Sequence, residues 1–432
     1  MRIGIGGASG FIGKHLTDCL SRYNHRIIPL GRGLLREDSF RELVEAVADC
    51  DVIINLSGAS INRSWTSEYK KELYDSRIHS TSRLVCAIKS ARRKPKLMIS
   101  VSAVGYYPTT GEYDERDVVE TQGFLASLCR AWEAEAMKCP SETRLVIIRM
   151  GLVLALDGGA LHEMILPLLQ TKFSAVLGSG KQAFPWIAIQ DVCRAVAFFI
   201  ENEETKGVYN LVSPQQITQK YFARALARAY HAWSTITIPS CFFRVFFGER
   251  SSVLLEGQSV RPTRLLEAGF KFEVPAVECL LGLPDSRTVP YMDLPRYMGL
   301  WYEIARYENS FEKGMTQVTA TYTLLPDGKI RVENAGSKNG VMKRAVGRAY
   351  CPDITQPGKL KVSFFLSFYS DYYILELDEV EYAYVLVGSS SDKYLWILSR
   401  TPYLAKETKD KLVASARNRG YHVEKLIFSY DS

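Results

Sequence analysis

The sequence predicts two folds in one chain: an α/β unit built on a doubly wound parallel sheet, followed by an antiparallel β-barrel carrying one helix. Three observations predict them. The chain opens on a short apolar run, Met1-Arg2-Ile3-Gly4-Ile5, that passes directly into Gly6-Gly7-Ala8-Ser9-Gly10-Phe11-Ile12-Gly13, the strand, glycine turn and helix start of a dinucleotide loop. Apolar runs and helical stretches then alternate as far as Arg149, which is the pattern of βαβ units. Past Pro290 the period changes to that of short strands separated by turn residues such as Pro326-Asp327-Gly328-Lys329, as in an up-and-down barrel.

Size and composition agree with two packed units. At 432 residues the chain exceeds one typical domain, and its 47% apolar content supports folded cores. A net charge of +7 is mild for this length and is not gathered into one basic domain, so no nucleic-acid partner is expected. Nine cysteines are dispersed without paired spacing, which reads as reduced thiols in a cytoplasmic protein. The N-terminus is a folding strand rather than a secretory signal. Runs such as Leu145-Val146-Ile147-Ile148 stop at Arg149, too short for a bilayer, so no integral membrane segment is expected.

In chain order, Gly7, Gly10 and Gly13 supply the tight turn, the open approach for a pyrophosphate and the close helix packing, with Ser9, Phe11 and Ile12 completing the loop. The anion would sit on the helix N-terminus. The second strand, Arg26-Ile27-Ile28-Pro29-Leu30, exits through Gly31-Arg32, and an Arg there pairs with a 2′-phosphate, so the expected cofactor is NADP (NADPH). A third strand runs from Asp51 into Asn55-Leu56-Ser57-Gly58-Ala59, and a fourth from Lys96 to Ser102. Leu56, Ser57, Gly58, Ala59 and Ser102 thus fall beyond the carboxyl ends of strands, where such sheets bind ligands. Helices are predicted over 82–90 and 123–138, and a further strand over 144–149.

From 151 to 186 the chain is glycine- and proline-punctuated and reads as substrate-side loops. Gly178-Ser179-Gly180-Lys181-Gln182 and Phe184-Pro185-Trp186 form a candidate lid, with Trp186 as a stacking face. Arg63, in Ile61-Asn62-Arg63-Ser64-Trp65, and Arg77, in Ser76-Arg77, either meet an anionic group of the substrate or lie on a solvated face. Asp191 reads as a helix N-cap. His162 has no ligand-like partners, and no metal site is expected in this half.

Four segments carry a family likeness: the glycine loop, Asn55-Leu56-Ser57-Gly58-Ala59, Ser102-Ala103-Val104-Gly105-Tyr106-Tyr107 and Gly248-Glu249. Together they resemble the extended short-chain dehydrogenase/reductases, and within them the bacterial nucleoside-diphosphate-sugar epimerase group. The likeness covers residues 1–283 and implies a Rossmann-type sheet with a small substrate subdomain. In that superfamily a Ser, a Tyr and a Lys four residues beyond the Tyr carry proton transfer, and the resemblance implies Ser102 for the Ser. This chain departs at the other two. Its helix reads Leu128-Cys129-Arg130-Ala131-Trp132-Glu133, which puts Cys129 and Glu133 at the i and i+4 positions. A carboxylate can accept ribose hydroxyls, but its charge disfavours a neighbouring thiolate or phenolate. Tyr106 or Tyr107 either replaces the missing acid or lines the pocket.

A second likeness starts after a polar, proline-bounded stretch that reads as a linker over 284–290. Asp293-Leu294-Pro295-Arg296-Tyr297-Met298-Gly299-Leu300-Trp301-Tyr302 and Tyr394-Leu395-Trp396-Ile397-Leu398-Ser399-Arg400-Thr401-Pro402 resemble the opening and closing signatures of lipocalins, those of bacteria and apolipoprotein D among them. The resemblance covers residues 291–432. It implies an eight-stranded barrel with one helix, predicted here over 405–419, with Trp301 plugging the floor and Arg400 packed across its ring. It also implies a lumen for one small apolar ligand, a fatty acid or a lysolipid-like molecule. Phe364, Phe365, Phe368, Tyr369, Tyr372 and Tyr373 crowd one segment, and alternation turns half of them inward.

The expected function is an NADP-dependent oxidoreductase or epimerase-like enzyme acting on a small-molecule substrate and fused to an apolar-ligand carrier, with a homodimer left open. The rival is a non-catalytic, NADP-responsive lipid-binding protein, motivated by Cys129 and Glu133.

Overall fold

A computed structural model of the chain describes residues 1–120, 122–159, 169–309, 312–365 and 368–429. His162 lies outside them. The chain divides into two compact units, Met1–Leu280 and Leu281–Ser432.

The first unit begins β1 (Arg2–Gly6), α1 (Phe11–Arg22), β2 (Arg26–Leu30), α2 (Phe40–Ala48), β3 (Val52–Asn55), α3 (Ser67–Ser90) and β4 (Leu97–Ala103). It continues β5 (Glu112–Tyr113), α4 (Phe124–Ala136), β6 (Arg144–Met150), β7 (Leu152–Leu154), β8 (Phe173–Leu177), β9 (Trp186–Ala188), α5 (Ile189–Glu201) and β10 (Gly207–Leu211). Then follow α6 (Gln219–Ala229), β11 (Ser234–Ile238), α7 (Ser240–Phe247) and β12 (Ser259–Val260). Six strands form one parallel sheet in the order β10-β6-β4-β3-β1-β2. Helices cover both faces, so the strands read as unbroken apolar runs. Ile3, Ile5, Leu16 of α1 and Val196 of α5 pack on one face. Leu43 of α2, Leu84 and Ile88 of α3, and Met98 pack on the other.

The 151–186 stretch is not all loop. β7 pairs with β9, and β8 pairs with β11, as two-stranded parallel ladders. Each apolar triplet or quintet there finds its partner far along the sequence, which local composition cannot reveal. Trp186 is fully buried in β9, so it is core rather than a stacking face. Asp191 is the third residue of α5 and not its cap. Its buried carboxylate accepts the backbone N–H groups of Glu273 (2.8 Å) and Val274 (2.9 Å).

The second unit is a closed barrel. Its strands are β13 (Gly299–Tyr307), β14 (Thr316–Leu324), β15 (Ile330–Lys338), β16 (Val341–Tyr350), β17 (Lys359–Phe365), β18 (Phe368–Leu377), β19 (Tyr384–Gly388) and β20 (Leu395–Ser399). Each pairs antiparallel with the next, and β13 closes the ring by pairing with both β14 and β20. A helix, α8 (Lys406–Asn418), precedes β21 (Leu426–Phe428), which adds to β13. Leu412 and Ala416 of α8 pack on the outer side of the barrel with Leu386, Leu395 and Ile397. Trp301 is fully buried, donates its indole N–H to the Tyr297 carbonyl at 2.9 Å, and lies 3.9 Å below the Arg400 guanidinium.

The 284–290 stretch is part of this unit rather than a free linker. The Asp285 amide donates to the Arg419 carbonyl at 2.6 Å and the Val289 amide to Ile374 at 2.9 Å, and Val289 joins the barrel core. The aromatic segment also departs from expectation, since Phe364, Phe365, Phe368 and Tyr369 are all exposed. Tyr372 turns inward, where its hydroxyl meets those of Tyr297 (2.8 Å) and Tyr322 (2.9 Å).

The barrel buries charge as well as apolar surface. Glu303 and Arg306 of β13 form an ion pair, each nearly fully buried. Arg306 also donates to the carbonyls of Glu312 (3.2 Å) and Met315 (3.0 Å), which folds the β13–β14 connection against the strand. Burial, then repulsion from Glu312, pushes the Glu303 carboxyl up to about 7, and Arg306 only partly offsets this. Between pH 4.5 and about 7 the folded state therefore keeps a proton that the unfolded chain has lost. Stability of the barrel is expected to fall by roughly 3 kcal/mol as pH rises through that window. Urea denaturation across a pH series checks this, and Glu303→Gln should flatten the slope.

Candidate functional site

The glycine loop is built by close approach. Gly7 sits at φ +79°, a conformation costly for any residue with a Cβ, and a Cβ there would lie 2.9 Å from the Leu56 carbonyl. A Cβ on Gly13 would lie 2.3 Å from the Gly7 carbonyl and 2.7 Å from Ala8 Cα, so only glycine lets α1 rest against the loop. The α1 N-cap is Gly10, which offers no side-chain oxygen to the first turn, and no acidic residue stands there. The helix N–H groups and dipole are thus left for an anion. Ser9 is exposed at this end, while Ile12 packs on the sheet core. Phe11 packs on the same core and also lies against Gly158 and Gly159, where an added Cβ would come within 2.8 and 2.9 Å of its ring.

The turn after β3 leans on the same loop, the Leu56 amide donating to the Gly6 carbonyl at 2.9 Å. The Ser57 hydroxyl is buried and lacks a partner among the described residues. Ser76 and Arg77 prove to be supports for this turn, and Arg77 is not a free cation. The Ser76 hydroxyl accepts the Ala59 amide (2.9 Å), and Arg77 donates to the Ala59 carbonyl (3.0 Å) beneath Gly58. Arg77 also lies over the Trp132 ring at 5.2 Å. Arg32 comes two residues after Leu30, the register partner of Gly6, and is exposed, with no ion pair among the described residues. Glycine cradle, bare helix N-terminus, unpaired Ser57 hydroxyl and free Arg32 together fit a phosphorylated dinucleotide.

A buried polar row crosses the carboxyl ends of the strands next to this loop. Ser102 of β4 and Asn210 of β10 are both register partners of Arg149 on β6, so the three stand side by side. Glu133 descends onto the row from α4. It accepts the Ser102 hydroxyl at 2.7 Å and two Arg149 N–H groups at 2.9 Å each. Arg149 gives a third bond to the Tyr107 hydroxyl (2.8 Å), and its guanidinium lies 3.4 Å from the Tyr106 ring centroid. Tyr107 in turn faces the Asp114 carbonyl (2.9 Å) and Asn210 Oδ1 (3.0 Å).

These contacts settle what each group offers chemically. Burial works against the Arg149 charge, yet the Glu133 pair outweighs it and holds the guanidinium protonated. Burial, with Glu133 adding to it, pushes the Cys129 thiol up to about 11, and burial pushes the Tyr107 phenol up to about 12. Both are therefore neutral at physiological pH. Ser102 spends its proton on Glu133 and presents lone pairs. The Tyr106 hydroxyl is hydrogen-bonded to none of the described residues.

A cleft of about 840 Å³ opens beside the row, lined by Gly105 and Tyr107, the start of α4, Ser179 and α7. The Lys70–Glu249 ion pair stands in its wall. Arg63 lies outside this wall, over the Tyr69 ring at 5.8 Å. Among the described residues no group of His, Cys, Asp and Glu is arranged to hold a metal ion, and no helix is long and apolar enough to cross a membrane.

Sheet order, glycine cradle and barrel closure define a dinucleotide-binding α/β domain followed in the chain by a lipocalin-type barrel. Comparison with known proteins agrees. Residues 3–211 match the NAD dependent epimerase/dehydratase family, 238–282 a domain of unknown function, and 292–431 the lipocalin-like domain. Over 292 residues the chain is 36% identical to the epimerase family protein SDR39U1 of Mus musculus, covering 65% of this chain and 98% of that protein. An epimerase family protein of Staphylococcus haemolyticus is 36% identical over 282 residues, covering 62% of this chain and 93% of its own. The crystal structure of human SDR39U1 isoform 2 with NADPH superposes with a TM-score of 0.61 at 33% identity, over 65% of this chain and 98% of that one. The chain belongs to this epimerase family and carries a lipocalin-like domain in addition.

Arg149 and Asn210 are the site residues that sequence reasoning missed. A lone cation or amide inside an apolar strand must be partnered to be buried, and that was the available signal. Removing one partner of the ion pair leaves the other charge buried and bare. Glu133→Ala is expected to cost about 3–5 kcal/mol in chemical denaturation of the full chain, whereas Ser102→Ala should cost about 1 kcal/mol.

Proposed function

We propose that the first unit binds NADP(H) and acts as an NADP-dependent oxidoreductase or epimerase-like enzyme on a small molecule held in the cleft, and that the barrel carries a small apolar ligand. The observation that carries the cofactor reading is the bare, glycine-walled N-terminus of α1, with the exposed Arg32 two residues past Leu30, the register partner of Gly6. The related human protein of known structure was solved with NADPH, which supports the same cofactor here. The backbone N–H groups of Phe11 to Gly13 would hold the pyrophosphate and Arg32 the 2′-phosphate. When bound, the nicotinamide supplies hydride transfer. This chain's own part is to orient and to exclude water. Ser102 would accept a hydrogen bond from a substrate donor, Glu133 and Arg149 fix Ser102 in place, and Tyr106, whose hydroxyl bonds none of the described residues, is the candidate proton donor.

Calorimetric titration tests the cofactor. NADPH is expected to bind more tightly than NADH, and Arg32→Asp should erode that preference about 10- to 100-fold, the worth of one charge-assisted contact. No uptake of NADPH by the parent protein would end the proposal.

The second reading is a non-catalytic NADP-responsive carrier, favoured by a Cys129 thiol held near 11 and a Glu133 wholly engaged by Arg149 and Ser102. Stopped-flow assay of NADPH oxidation against a panel of carbonyl compounds and nucleotide sugars separates the two. Turnover lost in Tyr106→Phe with NADPH affinity retained supports the enzyme, and NADPH binding without turnover on any of the panel supports the carrier.

A further inference from the structure

Helix α7 carries two apolar faces, and only one is used by the fold. Phe243 is buried beneath the helix and stacks with Phe247 at 6.0 Å. With about 3.6 residues per turn, Arg244, Cys241, Val245, Phe242 and Phe246 follow one another around the opposite arc. There Val245 is 79% exposed, Phe246 67% and Phe242 51%, with the rings of Phe242 and Phe246 4.4 Å apart. A continuous aromatic patch of this kind marks an interaction surface.

Cations surround it. Arg244 edges the arc on the cleft side. Arg250 lies over the Phe247 ring at 4.8 Å and bonds the Asn62 carbonyl, which brings in the loop bearing Arg63. Lys181 follows the glycine turn that abuts Ser240. Arg244, Arg63 and Lys181 are exposed and form no ion pair among the described residues. Of the carboxylates lining the adjoining cleft, Glu249 is paired with Lys70 and Glu256 is exposed.

We propose that this face docks peripherally on an anionic lipid surface. Phe242, Val245 and Phe246 enter the boundary between headgroups and acyl chains, and Arg244, Arg250, Arg63 and Lys181 meet the phosphates, as an interfacial amphipathic helix does. A second copy of the chain is the poorer occupant, because it would set the same cationic rim against itself on a protein of net charge +7. Ser240 and Arg244 also line the cleft, so docking brings the cleft to the bilayer surface and gives it an amphiphile as neighbour. The inference is independent of the cofactor reading.

The test is co-sedimentation of the full chain with phosphatidylcholine vesicles made with and without phosphatidylglycerol. Binding is expected on the anionic vesicles, weakened by salt and by Lys181→Glu. The double variant Phe242→Ser, Phe246→Ser should lower partitioning at least about tenfold, since two phenyl rings no longer leave water, with circular dichroism and thermal melting reporting the fold. Val245→Asn supplies the same readout should the double variant unfold. No binding by the parent, or equal binding by correctly folded variants, overturns the proposal. So does a concentration-dependent dimer in sedimentation velocity that the double variant abolishes, which would give the face to a second copy.

Discussion

The ion pair between Arg149 and Glu133 is the interaction around which the first unit's site is arranged. It joins the sheet to α4, and through further bonds from the same two side chains it fixes Ser102 and Tyr107. Both partners are nearly fully buried, so the pair gains little net stability over an apolar core of the same shape, while losing either half is expensive. What it supplies is position. A guanidinium with a planar fork of donors can hold a carboxylate and a phenol at once, and an aliphatic side chain at 149 could hold neither.

That arrangement depends on strand order. Ser102, Arg149 and Asn210 are far apart in sequence and meet because β4, β6 and β10 are consecutive neighbours in the sheet. Parallel pairing with matched register puts them in one row on one face. The loops after β1 and β3 meet for the same reason, β1 and β3 being adjacent, so that the Leu56 amide reaches the Gly6 carbonyl. Cofactor loop and polar row are two products of a single sheet topology, each at the carboxyl ends of its strands.

Legibility followed how local each constraint is. The glycine loop can be read directly, because Gly7 and Gly13 are dictated by backbone geometry within a dozen residues. The barrel is equally legible, since Trp301 and Arg400 bracket it in recognisable segments and meet at its floor. Arg149 and Asn210 are not legible as a pair, because their meaning lies in register. Arg77 looks like a free cation in sequence and is spent on the Ala59 carbonyl and Trp132. Trp186 and Asp191 mislead in the same way: an aromatic in a proline-rich loop and an acid near a helix start both have local explanations, and both are overridden by distant partners. The 284–290 stretch has the composition of a linker, but its amides find carbonyls on the barrel, which composition does not encode.

The two units bury charge by different rules, and this separates their behaviour. In the first, one carboxylate faces one guanidinium with the hydrogen bonds of both oxygens made, and the flanking thiol and phenol are pushed to about 11 and about 12. The thiol and the phenol stay neutral and the Arg149 guanidinium stays charged near neutrality. In the barrel, Glu303 and Glu312 share the surroundings of Arg306, and one guanidinium cannot neutralise two carboxylates. The excess negative charge in a low-dielectric interior is relieved by holding a proton on Glu303 up to about pH 7. Because Arg306 also anchors the carbonyls of Glu312 and Met315, the protonation of Glu303 bears on the connection between β13 and β14. Glu303 thus gives the barrel interior a buried carboxyl that responds to pH near neutrality.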